Sequence, residues 1–461
     1  MKIDTSLYPS NLSNHVEKVF SIALEKIFLL DNSWNYSSGS PVFTIDGIYS
    51  TRGWTEWTQG FQFGAPLLAF EATNDKKTFN IGLRNIKQYM SKHLTHTGVH
   101  DHGFNTMSTY GNLLRLFREG KWLTNNSELN YLHLAIKISG AVQANRWTSI
   151  SNNLGFIYSF NGPHSLFIDT IRSLRVLAIA HKLGHSLMGE NDKPISLLER
   201  LLQHTETTLS YSIFFGNNRD IYDIPGRVAH ESIFNVRDGN FRCVSTQQGY
   251  SPFSTWTRGL SWAILGIAEL LEFCSELTDE DIMPLGIPRM PNHSSLMNRL
   301  KKTAVILTQF YIANSTSDGI TYWDTGAPGL SKMSDWCSIP SNPFNDFEPI
   351  DSSAAAIAAQ GFLRIGYFLQ KNKEIEAKNL IGGGLTIAKT LFSEPYLNTT
   401  TAHQGILLHT IYHRPNNWDR IPTGSNIPYG ESCQWGDYHT LELALLIQKI
   451  NTNSFLPWVR I

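Results

Sequence analysis

Leu166-Phe167-Ile168-Asp169-Thr170-Ile171-Arg172-Ser173-Leu174 sets one carboxylate inside an otherwise apolar stretch. Upstream, Asn161-Gly162-Pro163-His164 breaks the preceding structure and Ser165 suits an N-cap. Downstream, Phe167, Ile171, Leu174 and Ala178 recur at helical spacing, which predicts a helix over 166–183. At about 100° per residue Asp169 leaves that apolar stripe and shares a face with Arg172, Ser173 and Val176. Two readings stand. Asp169 is either an acidic residue of the first turn that complements the helix dipole and pairs with Arg172, or an acid set into an apolar wall for chemistry. The rest of the chain decides between them.

Amphipathic patterns of the same kind occur near 13–30, 57–73, 78–93, 105–119, 129–143, 194–214, 256–274, 296–313, 352–369, 375–391 and 437–449, separated by Gly-, Pro- and Asn-rich loops. Strand signals are scarce, and the short ones near 226–241 read as a hairpin within a loop. A dozen antiparallel helices predict an all-α fold, an (α/α)6 barrel or six-hairpin toroid, with 1–461 as one catalytic domain. A helical solenoid would need a repeat of fixed period, and the chain has none. The long irregular segments 32–53, 222–254 and 318–349 are rich in Gly, Trp, Tyr, His and Asp, and loops of that length are usually functional. Trp54, Trp57, Trp256, Trp262, Trp323, Trp336, Trp418 and Trp435 lie in or beside loops, where flat aromatic faces can stack on sugar rings.

Composition narrows the partner. The 38 basic and 39 acidic residues nearly cancel, so neither nucleic acid nor an anionic membrane surface is expected. Nothing approaches the roughly 20 apolar residues of a bilayer span. The N-terminus lacks an apolar signal core, so a soluble protein is expected, cytoplasmic if the chain is complete, with secretion left open. Cys243, Cys274, Cys337 and Cys433 form neither a disulfide framework nor a C-x-x-C pair. Neither a metal nor another cofactor is expected, since the histidines of His100-Asp101-His102, His409 and His413 form no H-E-x-x-H helix. Oligomeric state is left open.

Two further clusters carry chemistry. In His100-Asp101-His102-Gly103-Phe104, Asp101 either caps the helix that follows or is a second acid. His230, Gln247-Gln248-Gly249-Tyr250-Ser251 and Ser254-Thr255-Trp256-Thr257-Arg258-Gly259-Leu260-Ser261-Trp262 gather an imidazole, amides, indoles and a guanidinium around a Gly-broken loop, a mix poorly suited to a core. Arg258 early in a helix opposes the dipole preference and points to an acidic partner or ligand.

These residues carry a resemblance. Trp57-x-x-Gly60-Phe61-x-x-Gly64, His100-Asp101-x-Gly103-Phe104, Ile168-Asp169-Thr170-Ile171-x-Ser173-Leu174, His230, Gln248-Gly249-Tyr250-Ser251, Trp256-x-Arg258-Gly259, Asp351-Ser352-Ser353-Ala354, His409-x-x-Tyr412-His413 and Trp435-Gly436-Asp437-Tyr438 resemble, in order, the motifs of the unsaturated glucuronyl hydrolases, glycoside hydrolase family 88. His102 and Ser173 depart from the family's usual residues. The resemblance implies an (α/α)6 barrel and a hydrolase that removes a non-reducing-end 4,5-unsaturated glucuronyl residue from lyase-generated oligosaccharides, its partner. It implies that Asp169 is the general acid/base and Asp101 the neighbouring acid. It also implies that His230, Gln248, Trp256 and Arg258 contact the unsaturated ring and the reacting water, with Trp57, Tyr250 and Trp435 as further substrate-binding residues. Competing readings are an unsaturated rhamnogalacturonyl hydrolase, an ordinary glycosidase or lyase on the same barrel, and a carbohydrate-binding toroid without activity. Relatives that accept sulfated sugars resemble Ser-x-x-Ser-x-Lys where this chain has Ser338-Ile339-Pro340-Ser341-Asn342-Pro343, which predicts an unsulfated or poorly sulfated substrate.

Overall fold

Six pairs of helices alternate between an outer and an inner ring in the computed structural model, which describes residues 1–53, 56–455 and 457–458. Trp54 lies outside the described residues. The outer helices are Ser13–Ser33, Lys76–Tyr89, Asn126–Asn145, Leu197–Tyr211, His293–Ala313 and Ala377–Leu391. The inner ones are Gln59–Thr73, the run His102–Thr106, Met107–Gly111 and Asn112–Arg118, then Thr170–Ser173 with Arg175–Lys182, Thr257–Cys274, Ser352–Lys371 and Gln434–Asn451. The ring closes where Gln434–Asn451 packs on Gln59–Thr73. This is the expected (α/α)6 toroid, and each predicted helical segment contains helix.

The two rings differ in sequence for a physical reason. Lys76–Tyr89 buries Thr78, Phe79, Gly82, Asn85 and Ile86, one stripe at helical spacing, and Asp75 caps it by accepting from the N–H groups of Lys77 and Thr78. Thr257–Cys274 is buried at every position, as a helix enclosed on all sides must be. Inner helices also approach one another closely. A Cβ at Gly103 would stand 2.0 Å from the Ser173 carbonyl oxygen, so only glycine lets these two backbones meet.

The stretch around Asp169 departs from expectation. Ser165–Phe167 is a strand, paired antiparallel with Glu231–Phe234 in the register Ser165↔Ile233 and Phe167↔Glu231, and Glu231–Phe234 pairs in turn with Phe241–Ser245. The expected hairpin is therefore two strands of a three-stranded sheet, and the helix begins at Thr170 and breaks at Leu174. Leu166, Phe167 and Ile168 form a continuous buried apolar run, which suits a fully covered strand as well as a helix start, and the partner strand decides. Asp169 thus sits at the joint where strand becomes helix. Three two-stranded hairpins decorate the loops, among them Phe43–Ile45 with Ile48–Ser50 inside the long irregular segment 32–53. Among the described residues no helix is long and apolar enough to cross a membrane. All four cysteines are free.

Candidate active site

The inner helices begin at one end of the barrel, and the cavity is built from the residues at those beginnings. Asp101, Asp169, Trp256 and Asp351 occupy N-cap positions of His102–Thr106, Thr170–Ser173, Thr257–Cys274 and Ser352–Lys371. Helix N-termini carry unpaired N–H groups and partial positive charge, an environment that favours an anion. Asp351 caps its helix through Ser353 N, but the side chains of Asp101 and Asp169 make no cap hydrogen bond. The capping reading of Asp101 therefore fails. The pairing reading of Asp169 fails as well, because Arg172 is fully buried and bound to Glu269 and Glu442.

Both carboxyls are buried, at 7% and 8% exposure, and one imidazole touches both: His100 Nε2 lies 3.2 Å from Asp169 Oδ1 and 3.7 Å from Asp101 Oδ1. Gln143 Nε2 and Ser173 Oγ donate to the His100 carbonyl and fix its backbone. Burial pushes the Asp101 carboxyl up to about 6; the His100 charge opposes this and the Asp169 charge adds to it. Burial also works to raise Asp169, but the hydrogen bond and charge of His100, with His230 and Arg258, outweigh it and hold this carboxyl below its ordinary value. Burial disfavours a charge on His100, yet the two aspartates win and raise its pKa. The three groups titrate as one cluster, in which His100 shares a hydrogen bond with Asp169 and its charge interacts with that of Asp101.

The opposite wall is made by Arg258. Its Nη1 meets Asp351 Oδ2 at 3.0 Å and the Ile411 carbonyl, and its Nη2 donates to Gln248 Oε1 at 2.9 Å and to the Tyr412 carbonyl at 2.8 Å. The acidic partner expected from its position in the helix is Asp351. The guanidinium also lies over Trp256 and Trp435, 4.7 and 4.8 Å from their ring centroids. His230 Nδ1 accepts from the N–H groups of Gln247 at 2.9 Å and Gln248 at 3.3 Å, so its proton is on Nε2, which is buried without a hydrogen-bond partner. Burial pushes the His230 pKa down to about 4, so the ring is neutral.

Asp169, Asp101, Gln248, Trp256, Arg258 and Trp57 line one cavity of ≈ 180 Å³. His230 and Trp435 stand behind its wall: His230 against Phe167 and Trp256, and Trp435, fully buried, stacked 5.1 Å from Trp57 with its Nε1 donating to Ser353 Oγ. Tyr250 faces a separate outer groove. The sequence motifs included His100, Phe104, Gln247 and Trp262 without assigning them a role in the site, and Phe160 in the wall was passed over. Tyr412, His413 and Trp418 were likewise named without a role in the site, and with Asn416 they line the cavity; the aromatic density of this Pro- and Asn-rich loop was the available signal. His409 is not part of this site; its Nδ1 accepts from Gly430 N and its ring packs on Phe344 and Tyr396. Among the described residues no three His, Cys, Asp or Glu side chains are placed to hold a metal ion.

A closed toroid of helices, with an acid pair and aromatic walls at the N-terminal end of its inner ring, is an (α/α)6 barrel with a cavity built for chemistry on a small ligand. No family model matches the chain. It is 22% identical over 444 residues, 94% of its own length and 92% of the relative's, to the unsaturated chondroitin disaccharide hydrolase of Streptococcus agalactiae serotype III (strain NEM316). It is 24% identical over 389 residues, 84% of its length and 78% of the relative's, to the unsaturated glucuronyl hydrolase of Formosa agariphila. The solved structure of unsaturated glucuronyl hydrolase from Bacillus sp. GL1 superposes with a TM-score of 0.69 at 20% identity, covering 96% of this chain and 98% of that one, which establishes the barrel. Over most of its length the chain is thus similar to proteins named unsaturated glucuronyl hydrolase and unsaturated chondroitin disaccharide hydrolase.

Proposed function

We propose that this chain removes the non-reducing-end 4,5-unsaturated glucuronyl residue from lyase-generated oligosaccharides by acid-catalysed hydration of the C4=C5 double bond. The observation that carries this reading is the single imidazole, His100, in contact with both buried aspartates on the cavity wall. The sugar is an enol ether. Asp169 delivers a proton to C4, and the cation that develops at C5 is stabilised by the ring oxygen. Water adds at C5 and returns a proton to Asp169. The resulting hemiketal opens and expels the remaining saccharide, so no covalent nucleophile is needed, unlike the two-carboxylate route of ordinary glycosidases.

In the open site Asp169 is ionised, its carboxyl held below its ordinary value. An arriving uronate excludes water and sets a second negative charge beside it, and both effects raise its affinity for a proton. The proton it then takes is the one held by His100 across the 3.2 Å contact. The uronate carboxylate is assigned to the wall of Arg258 and Gln248, where helix N-termini add positive potential. Trp57 and Trp256 provide apolar faces for the ring. His230 acts through Gln247 and Gln248, whose N–H groups it holds.

The ultraviolet absorbance of the conjugated double bond tests this directly. A hydrolase of this type destroys it, a lyase creates it, and a binding toroid leaves it unchanged. Unchanged absorbance over a panel of unsaturated disaccharides would refute the reading.

A further inference from the structure

The catalytic cavity has a neighbour. A groove of ≈ 290 Å³ is lined by Gly249, Tyr250, Trp323, Pro328, Glu348, Arg414 and Pro415. Two short stretches of backbone separate the two spaces. Gln247 and Gln248 line the cavity while Gly249 and Tyr250 line the groove, and His413 and Asn416 line the cavity while Arg414 and Pro415 line the groove. The two spaces are therefore neighbours, a few residues of backbone apart. The groove also has the character of a sugar site, since Tyr250 is 52% exposed and Trp323 forms part of the wall.

The charges in the groove are unequal in availability. Glu348 has both oxygens engaged, Oε2 by Trp323 Nε1 and Oε1 by Gly329 N, each at 2.8 Å. Asp324, behind Tyr250, accepts from Tyr250 N and Gly326 N. Asp419, whose carboxyl feels the Arg414 charge, is buried and turned to the N–H groups of Tyr412 and His413. Arg414 has no carboxylate within ion-pair distance among the described residues, and its Nε is buried without a hydrogen-bond partner. A guanidinium left open beside aromatic faces matches a sulfate or carboxylate, which it can bind through two parallel hydrogen bonds.

We propose that this groove receives the leaving saccharide and that Arg414 selects for an anionic group, a sulfate ester or a carboxylate, on the sugar next to the cleaved uronate. The inference rests on the hydrolase reading above and names the substrate class for it. It reverses the expectation of an unsulfated substrate, for a structural reason. Ser338–Pro343 lines neither the cavity nor the groove; Ser341 is bound to Asp318 and Tyr396 on another face, so the proline at 343 has no bearing on the leaving sugar.

The test compares kcat/KM for matched unsaturated disaccharides whose second sugar is neutral, sulfated or a uronate, in the wild-type protein and in Arg414→Gln. The wild type should favour an anionic partner sugar by about tenfold, and the variant should lose that preference while its rate on the neutral disaccharide stays within roughly threefold. The sulfated and uronate arms tell which anion is taken. No preference in the wild type, or an equal loss on all three substrates in the variant, overturns the proposal. Calorimetric binding of the same disaccharides to Asp169→Asn separates the two readings: a preference for the anionic sugars that depends on Arg414, in a wild type without turnover, would retain the groove and remove the hydrolase assignment. Equal affinity for the neutral and anionic sugars would remove the groove.

Discussion

Asp169 and Asp101 have nearly the same burial, yet their carboxyls are shifted in opposite directions, and the difference lies in what each faces. Asp169 accepts from His100 and feels His230 and Arg258, whereas burial dominates at Asp101. The substitution Asp169→Asn keeps the volume and removes the proposed proton carrier. Turnover should fall by more than the roughly 10²–10⁴-fold usual for one general acid, with an unchanged melting curve, because no other group is assigned the role. A variant that kept a tenth of the activity (about tenfold loss) would place the acid elsewhere. Asp101→Asn acts through its neighbours. Removing that charge takes away the largest influence raising His100 and leaves Asp169 a stronger acid, so the cluster releases its proton at lower pH. The alkaline limb of the kcat profile should move toward acid, and activity at neutral pH should fall strongly. Loss of stability with an unmoved pH profile would make Asp101 structural.

Whole helices hold these two acids together, and Gly103 is where they touch. Its N–H donates to Ser173 Oγ at 2.8 Å, and the absent Cβ admits the Ser173 carbonyl. Gly103→Ala should cost roughly 2–4 kcal/mol and lower kcat beyond the loss of folded protein, because the helix after Asp101 must move away from the helix after Asp169. Thermal melting with kcat measured well below the transition checks it, and wild-type melting would mean that the contact can open. The helices themselves were legible in the sequence because a period of 3.6 residues persists over many turns, whereas Ser165–Phe167 was not, since a run of three apolar residues has no period and its partner lies at 231–234. Of the site, the acids and the cluster from Gln247 to Arg258 were legible from motifs and unusual residue mixtures. The pairing of Arg258 with Asp351 was not, because it joins residues 93 apart, and neither was the placement of His230 and Trp435 behind the wall. Sequence names the residue type; the ring of helix starts decides which side of the wall it occupies.

Across the whole molecule, the inner ring is tied below the cavity by ions rather than by oil alone. Arg172 is fully buried on the segment after Asp169, with Nε 3.2 Å from Glu269 on Thr257–Cys274 and Nη2 2.9 Å from Glu442 on Gln434–Asn451. Its Nη1 meets His439 Nε2 at 3.1 Å, a ring kept neutral because burial pushes its pKa down to about 3. Burial works to raise Glu442, but the charges of Arg172 and Arg175 outweigh it and hold the carboxyl at about 2, against roughly 4.3 in an unfolded chain. A depressed carboxyl contributes stability that is present above the unfolded value and lost as pH falls toward the folded one. Glu442 therefore contributes roughly 3 kcal/mol at neutral pH, withdrawn between about pH 4 and 2. Arg172→Met should cost about 3–5 kcal/mol at pH 7, since buried Glu269 and half-buried Glu442 would keep Arg175 as the one arginine within ion-pair distance among the described residues. In that variant both glutamates take up protons more readily than in the wild type, so acid relieves them. The Tm difference between wild type and variant should narrow steadily from pH 7 to pH 3, and a constant difference across that range would mean that Arg172 contributes packing and not charge.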